Sequence, residues 1–215
     1  MIKKIISFIY PLTRKIESEH NGILELTQLN GKVYLDTANT NYSYGSLQKI
    51  LKFSLLQVDL SKAKNILVLG LGGGSVLKTI RKDFNYAGNI TVVDFDPVII
   101  DIAEKEFGIT NDEKTTIICS DAVDFIRNTN ESFNLIIIDL FIDNEIPKKI
   151  LLPEFWKEII KNTALDGYII FNTLCKPFTD IKPIEDKLRK RGLDYKIFRY
   201  VENTNKVLIA NCKPH

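Results

Sequence analysis

A short apolar run that stops in glycines limits what this chain can fold into more than any other stretch. Asn65-Ile-Leu-Val-Leu69 leads into Gly70-Leu-Gly-Gly-Gly-Ser75, and a helical pattern follows from Val76 to Phe84. An unbroken apolar run suits a central parallel strand buried on both faces. Gly70, Gly72, Gly73 and Gly74 permit positive φ and leave no Cβ between the backbone and a ligand. The helix that follows would aim its free N–H groups and positive dipole end at whatever fills the loop. In this order the three pieces read as a nucleotide cradle, although glycine-rich turns also serve ordinary tight turns.

The rest of the chain sets the frame for that cradle. A length of 215 residues holds one domain plus a small appendage. An apolar fraction of 45% with 26% charged residues is globular, and the net charge of +2, with bases scattered among acids, does not indicate a nucleic-acid partner. Cys119, Cys175 and Cys212 show no Cys-x-x-Cys spacing, so the expectation is reduced, buried thiols with neither disulfides nor zinc. His20 and His215 are the only histidines, near opposite ends of the chain, and both are expected on the surface. No metal is expected. The apolar run Ile5 to Tyr10 is too short to span a bilayer. It is expected to pack on its own domain or on a partner subunit, in a cytoplasmic protein without a membrane partner.

A hairpin precedes the cradle. Ile23 to Leu29 and Lys32 to Thr37 flank Asn30-Gly31, which supplies the two positive-φ residues of a type I′ turn. Next come a polar and aromatic loop, Asn39 to Gly45, and a helix expected from about Ser46 to Val58. We therefore expect an N-terminal arm and hairpin over residues 1–45 and an α/β domain over 46–215.

Within that domain three successive strands lead into an acid. Asn89 to Asp94 is a second strand, and Asp94 lies 24 positions after Gly70, near the offset of about 20 at which a carboxylate meets ribose hydroxyls in dinucleotide folds. Asp96-Pro97 then opens a helix, with Asp96 as its cap. Thr115 to Cys119 is a third strand followed by Asp121, placed to accept from an adenine amino group, to cap the next helix, or both. Phe133 to Asp139 is a fourth, again closed by a carboxylate. A helix from Pro153, a fifth strand over Tyr168 to Thr173, a charged helix from about Asp180 to Arg191 and two strands, Tyr195 to Tyr200 and Val207 to Asn211, complete the pattern. The fold expected is a doubly wound, Rossmann-like, mostly parallel seven-stranded α/β sheet ending in an antiparallel strand, with Gly70 to Gly74, Asp94, Asp121 and Asp139 on one edge.

A nicotinamide dehydrogenase would use the glycines and Asp94 but leave Asp121 and Asp139 without a task, and Ser75 stands where its fingerprint wants a third glycine. A single adenosine held by successive strand ends fits better. The segments Asn65 to Ser75, Val92-Val-Asp-Phe-Asp-Pro-Val-Ile-Ile100, Ser120-Asp-Ala-Val-Asp-Phe125 and Phe133 to Asp139, running on to Pro153-Glu-Phe-Trp156, resemble the spermidine synthase family and its methyltransferase-like relatives among class I S-adenosylmethionine-dependent transferases. The resemblance implies a cofactor, S-adenosylmethionine or its decarboxylated form. The glycine loop would hold its methionine part, Asp94 the ribose and Asp121 the adenine amino group, with Phe95 and Ala122 beside them.

It also implies a small acceptor, a polyamine in the aminopropyltransferases, with Asp139 as catalytic and substrate-binding acid and Tyr44 and Asp143 as substrate contacts. The departures bear on the reaction. Where the aminopropyltransferases carry Asp-Ser-Ser/Thr-Asp-Pro, this chain reads Asp139-Leu-Phe-Ile-Asp143, so Ile142 takes the second acid's place in a gap-free register. Aminopropyl transfer, methyl transfer to another small molecule and non-catalytic nucleoside binding all remain open at this level. The apolar arm and hairpin suggest a homodimer contact.

Overall fold

The computed structural model describes residues 6–37, 45–142, 145–175 and 180–213; Tyr44, Asp143 and His215 lie outside them. The chain begins with β1 (Leu12–Ser18), β2 (Gly22–Leu29) and β3 (Lys32–Asp36), then runs α1 (Ser46–Leu55), β4 (Asn65–Leu69), α2 (Ser75–Asp83), β5 (Asn89–Asp94) and α3 (Pro97–Phe107). There follow β6 (Thr115–Cys119), α4 (Ala122–Asn128), β7 (Phe133–Ile138), a 3₁₀ turn (Lys148–Leu151) and α5 (Pro153–Asn162). Last come β8 (Thr163–Leu174), α6 (Lys182–Lys190), β9 (Asp194–Val201) and β10 (Asn205–Asn211).

The large sheet has the order β6-β5-β4-β7-β8-β10-β9, with β4 at the point where the order reverses. Ile66, Leu67, Val68 and Leu69 of β4 have no exposed surface, which is why that strand carries no polar alternation. Helices cover both faces: α1, α2 and α3 pack on Ile66 and Val68, and α4, α5 and α6 pack on Leu67 and Leu69. The doubly wound expectation holds. Parallel pairing of β4 with β5 and β7, and of β5 with β6, brings the C-terminal ends of four strands to one level.

The structure departs from the sequence reading in several places. The N-terminal hairpin is joined by a third strand, β1, antiparallel to β2. β1 reads Leu-Thr-Arg-Lys-Ile-Glu-Ser and lies on the sheet edge with little apolar surface to bury, so no alternation marks it. The Asn30-Gly31 turn does have both φ values positive, at 50° and 72°. The antiparallel strand of the large sheet is not its edge: the turn at residues 202–204 sends β10 back between β8 and β9. β8 starts earlier than expected, at Thr163, and α1 stops earlier, at Leu55.

The expectation of buried cysteines also fails, and of the two packings expected for the arm the described part does not show the one on its own domain. The cysteines are free but not buried, and Cys119 is exposed because the end of β6, an edge strand, is left uncovered. The described part of the arm does not pack its apolar side chains on its own domain. Ser7 is buried, its carbonyl and Oγ accepting from Asn30 N and Gly31 N, whereas Phe8, Ile9 and Tyr10 point outward.

Candidate active site

The site forms where β4, β5, β6 and β7 end together. Gly70 is required by the protein itself: its φ is 99°, and a Cβ there would lie 2.1 Å from the carbonyl oxygen of Asp139. Closing that gap would push apart the ends of β4 and β7, which are tied by the Asp139 N to Leu69 O bond of 2.9 Å. Gly74 likewise has φ 69° and faces Ile109, its Cβ position only 2.5 Å from that side chain. Gly72 adds a third positive φ, of 50°. Gly73 does not have a positive φ. Thus the loop is shaped by strand-end crowding as much as by any ligand.

Asp94 lies beneath this loop, nearly buried. One carboxylate oxygen accepts from Leu71 N at 2.8 Å and the other from Asp96 N at 3.0 Å. Burial raises its pKa, against the lowering effect of the Leu71, Asp96 and Gly72 amides. Three amides against four acceptor directions leave one for a ribose hydroxyl to add to this pattern.

Asp96 caps α3 through Val98 N at 2.8 Å and is fully buried. It also accepts from Ser18 Oγ and from Asn21 Nδ2. The β1–β2 turn is thereby bonded directly to the residue that supports Asp94. His20 of the same turn is exposed, as expected, but its ring stands 4.9 Å from that of Phe95.

A cavity of about 400 Å³, including space open to solvent, lies between the ends of β5, β6 and β7. Phe95, Ala122, Leu140 and Ile150 give it apolar walls, and Asp121 stands in its lining. Asp121 caps α4 through Val123 N at 2.9 Å and Asp124 N at 3.3 Å, and its other oxygen pairs with Lys149. Burial would raise the Asp121 pKa, but the Lys149 ammonium and the two amides together hold it below the usual value. Walls suited to a flat base, an acid in the lining and a glycine-rich loop fit an adenosine moiety.

Asp139 follows β7 and is partly open to solvent at the sheet edge. Packed atoms around its carboxyl push its pKa up to about 6, opposed by a hydrogen bond of 2.9 Å from Asn172 Nδ2. Ile142, in the second acid's place, lines the cavity. Phe155 and Trp156 are core residues, and Trp156 Nε1 donates to Ile150 O at 2.9 Å, anchoring the 3₁₀ turn that carries Lys149. Among the described residues no group of three or more His, Cys, Asp or Glu side chains converges on a metal position.

Gly70 to Gly74, Asp94, Phe95, Asp121, Ala122 and Asp139 are thus brought together at one edge. Sequence reasoning missed Lys149, His20 and Asn172. The first two carry no signal, being ordinary surface residue types. Asn172 does carry one: it interrupts the apolar run Ile169-Ile170-Phe171 yet is only 1% exposed.

This sheet order defines a Rossmann-like fold of the methyltransferase kind. Human methyltransferase-like protein 13, solved in complex with SAH, superposes with a TM-score of 0.59 at 21% identity, covering 79% of this chain and 82% of that one. Spermidine synthase from Thermotoga maritima superposes at 0.56 and 16% identity, covering 94% and 72%. The chain belongs to the spermine/spermidine synthase domain family, whose model matches residues 49–196.

Among curated proteins it is similar to the polyamine aminopropyltransferase of Sulfolobus acidocaldarius, 32% identical over 131 residues, or 58% of this chain and 43% of that protein. It is also 25% identical over 160 residues to a Drosophila melanogaster protein named eEF1A lysine and N-terminal methyltransferase homolog, covering 69% of this chain and 21% of that one. The chain spans about half or less of the length of these relatives.

Proposed function

We propose that this chain is a transferase that moves an aminopropyl group from decarboxylated S-adenosylmethionine to a primary amine of a small acceptor. The observation that carries this reading is Asp139, a carboxyl with a pKa near 6 set at the sheet edge beside the glycine loop. Its ionised form at neutral pH can orient an amine and take its proton as the nucleophile attacks. When bound, the sulfonium nucleoside supplies an activated carbon and a neutral thioether leaving group. The protein's tasks are then alignment and exclusion of water.

In this reading Gly70, Gly72, Gly73 and Gly74 face the amino-acid-derived end of the nucleoside. Asp94 takes the ribose, and Phe95, Asp121 and Ala122 the adenine. Tyr44 and Asp143 complete the acceptor side with Asp139. Family membership and the similarity to polyamine aminopropyltransferases support the reading. We also infer a cytoplasmic setting, in keeping with three free cysteines, and a homodimer contact through the outward apolar side chains of the arm.

Methyl transfer from S-adenosylmethionine is the second reading. It is favoured by Ile142, because a polycationic amine needs several carboxylates to offset its desolvation, and by the similarity to the Drosophila methyltransferase homolog. Product identity separates the two. With decarboxylated S-adenosylmethionine and 1,4-diaminobutane, aminopropyl transfer releases methylthioadenosine. Adenosylhomocysteine from S-adenosylmethionine, with no methylthioadenosine from the decarboxylated donor, would replace the first reading by the second. Neither product with any amine would leave a nucleoside-binding protein.

A further inference from the structure

Asn172 sits on β8 and Asn205 opens β10, strands that pair antiparallel with Asn205 opposite Leu174 and Val207 opposite Asn172. The two amides are 1% and 5% exposed. Asn172 Nδ2 donates to Asp139 Oδ1 at 2.9 Å, Asn205 Nδ2 donates to Asn172 Oδ1 at 2.8 Å, and the Thr204 hydroxyl lies 2.7 Å from Asn205 Oδ1. The bonds all run one way. Each residue accepts from the one behind it and donates to the one ahead, and the chain ends on a carboxylate. Hydrogen bonds so aligned polarise one another, and the last of them is charge-assisted.

An isolated Asn172 amide could turn either its nitrogen or its oxygen toward Asp139. The first holds the ionised carboxylate; the second repels it. The acceptor-only carboxylate draws the Asn172 nitrogen forward, and Asn205 reinforces that orientation by donating its Nδ2 to the oxygen left behind.

We propose that Asn172 and Asn205 are positioning residues, a buried amide relay from the 202–204 turn that fixes the Asp139 carboxylate in its ionised form and leaves its other oxygen for the acceptor. The inference rests on the reading of Asp139 given above. Asn172 holds one oxygen and the orientation of the carboxyl plane, and Asn205 acts only through Asn172. Burial opposes the ionised form, and Asn172 counters it. Among the described residues, Asn172 is the side chain that holds the ionised form of Asp139 against burial. The pattern also explains why two asparagines occupy positions on central strands where apolar residues would pack without polar cost.

The test uses the full chain with 13C-labelled aspartate. The Asp139 carboxyl resonance is assigned by its loss in Asp139→Asn and titrated by NMR in the wild type, in Asn172→Leu and in Asn205→Asp. Asn172→Leu removes the donor. Asn205→Asp leaves Asn172 in place but presents it with an acceptor, so that its amide turns and offers oxygen to Asp139.

Both variants are expected to raise the Asp139 midpoint by about one pH unit, the size of one charge-assisted hydrogen bond. Both should lower kcat/KM for aminopropyl transfer to 1,4-diaminobutane about tenfold on the acid side, with little loss at high pH. Circular dichroism melts confirm folding, and the uncharged Asn205→Ser controls for the like charge that Asn205→Asp adds near Asp139; it should raise the midpoint in the same direction by a smaller amount. An unchanged Asp139 midpoint in folded Asn205→Ser would overturn the relay, whatever Asn205→Asp shows. Full transferase activity in Asp139→Asn would instead remove the role of Asp139 itself, whatever the titrations show.

Discussion

Asp139 combines two properties that work against each other. Its folded pKa of about 6 lies above the ordinary aspartate value of 3.8, so the folded state holds the proton more tightly than the unfolded chain. The contribution of this group to stability is therefore full below about pH 4 and is lost as pH rises through 6. Replacing it by asparagine removes that loss. Asp139→Asn is expected to abolish transfer and yet to stabilise the fold at pH 8 by about 2–3 kcal/mol, read from chemical denaturation. Wild-type kcat/KM should fall on the acid side with a midpoint near 6.

Gly70 poses the opposite case, a residue without chemistry whose absence of a side chain shapes the site. Gly70→Ala forces a Cβ into the Asp139 carbonyl and should cost on the order of 3 kcal/mol or more. Gly108→Ala provides the control. It too has a positive φ, of 65°, but its Cβ would meet nothing within 4 Å, so only backbone strain of about 1 kcal/mol is expected. Equal losses in the two variants would mean that the β4–β7 crowding is not the constraint.

At the scale of elements, the strands that carry the site were legible because each is an apolar run that stops in a glycine or an acid. Asp94 and Asp139 stand out as charges placed directly after residues with no exposed surface, and Asp121 as an acid two positions past its strand. β1 and the interior position of β10 were not legible. An edge strand that buries little leaves no pattern, and the pairing of two hairpin strands with a third is set by tertiary packing that local sequence does not encode.

The same limit hid the link between appendage and cradle. Ser18 and Asn21 are unremarkable turn residues until the fold sets them against Asp96. Removing the Asn21 amide leaves the buried Asp96 carboxylate short of a donor, so Asn21→Ala should cost about 1–3 kcal/mol and loosen the support of Asp94. Weaker binding of S-adenosylmethionine in calorimetry is the expected accompaniment. By comparison Thr13→Ala, which breaks only the exposed Thr13–Thr27 contact, should leave affinity unchanged. If Asn21→Ala binds as well as Thr13→Ala does, the appendage is not coupled to the cofactor loop.

For the molecule as a whole, the glycine-ended strand fixes the reversal point of the sheet, and the acids that follow narrow the ligand from any nucleotide to a nucleoside held by successive strand ends. The central claim is that this edge binds a sulfonium nucleoside. Isothermal titration of the full chain with decarboxylated S-adenosylmethionine, S-adenosylmethionine and NAD tests it most directly, with Asp94→Asn as the control. The expected result is saturable binding of one or both sulfonium nucleosides, weakened at least tenfold in Asp94→Asn, and none of NAD. Binding of NAD with no affinity for either sulfonium compound would contradict it.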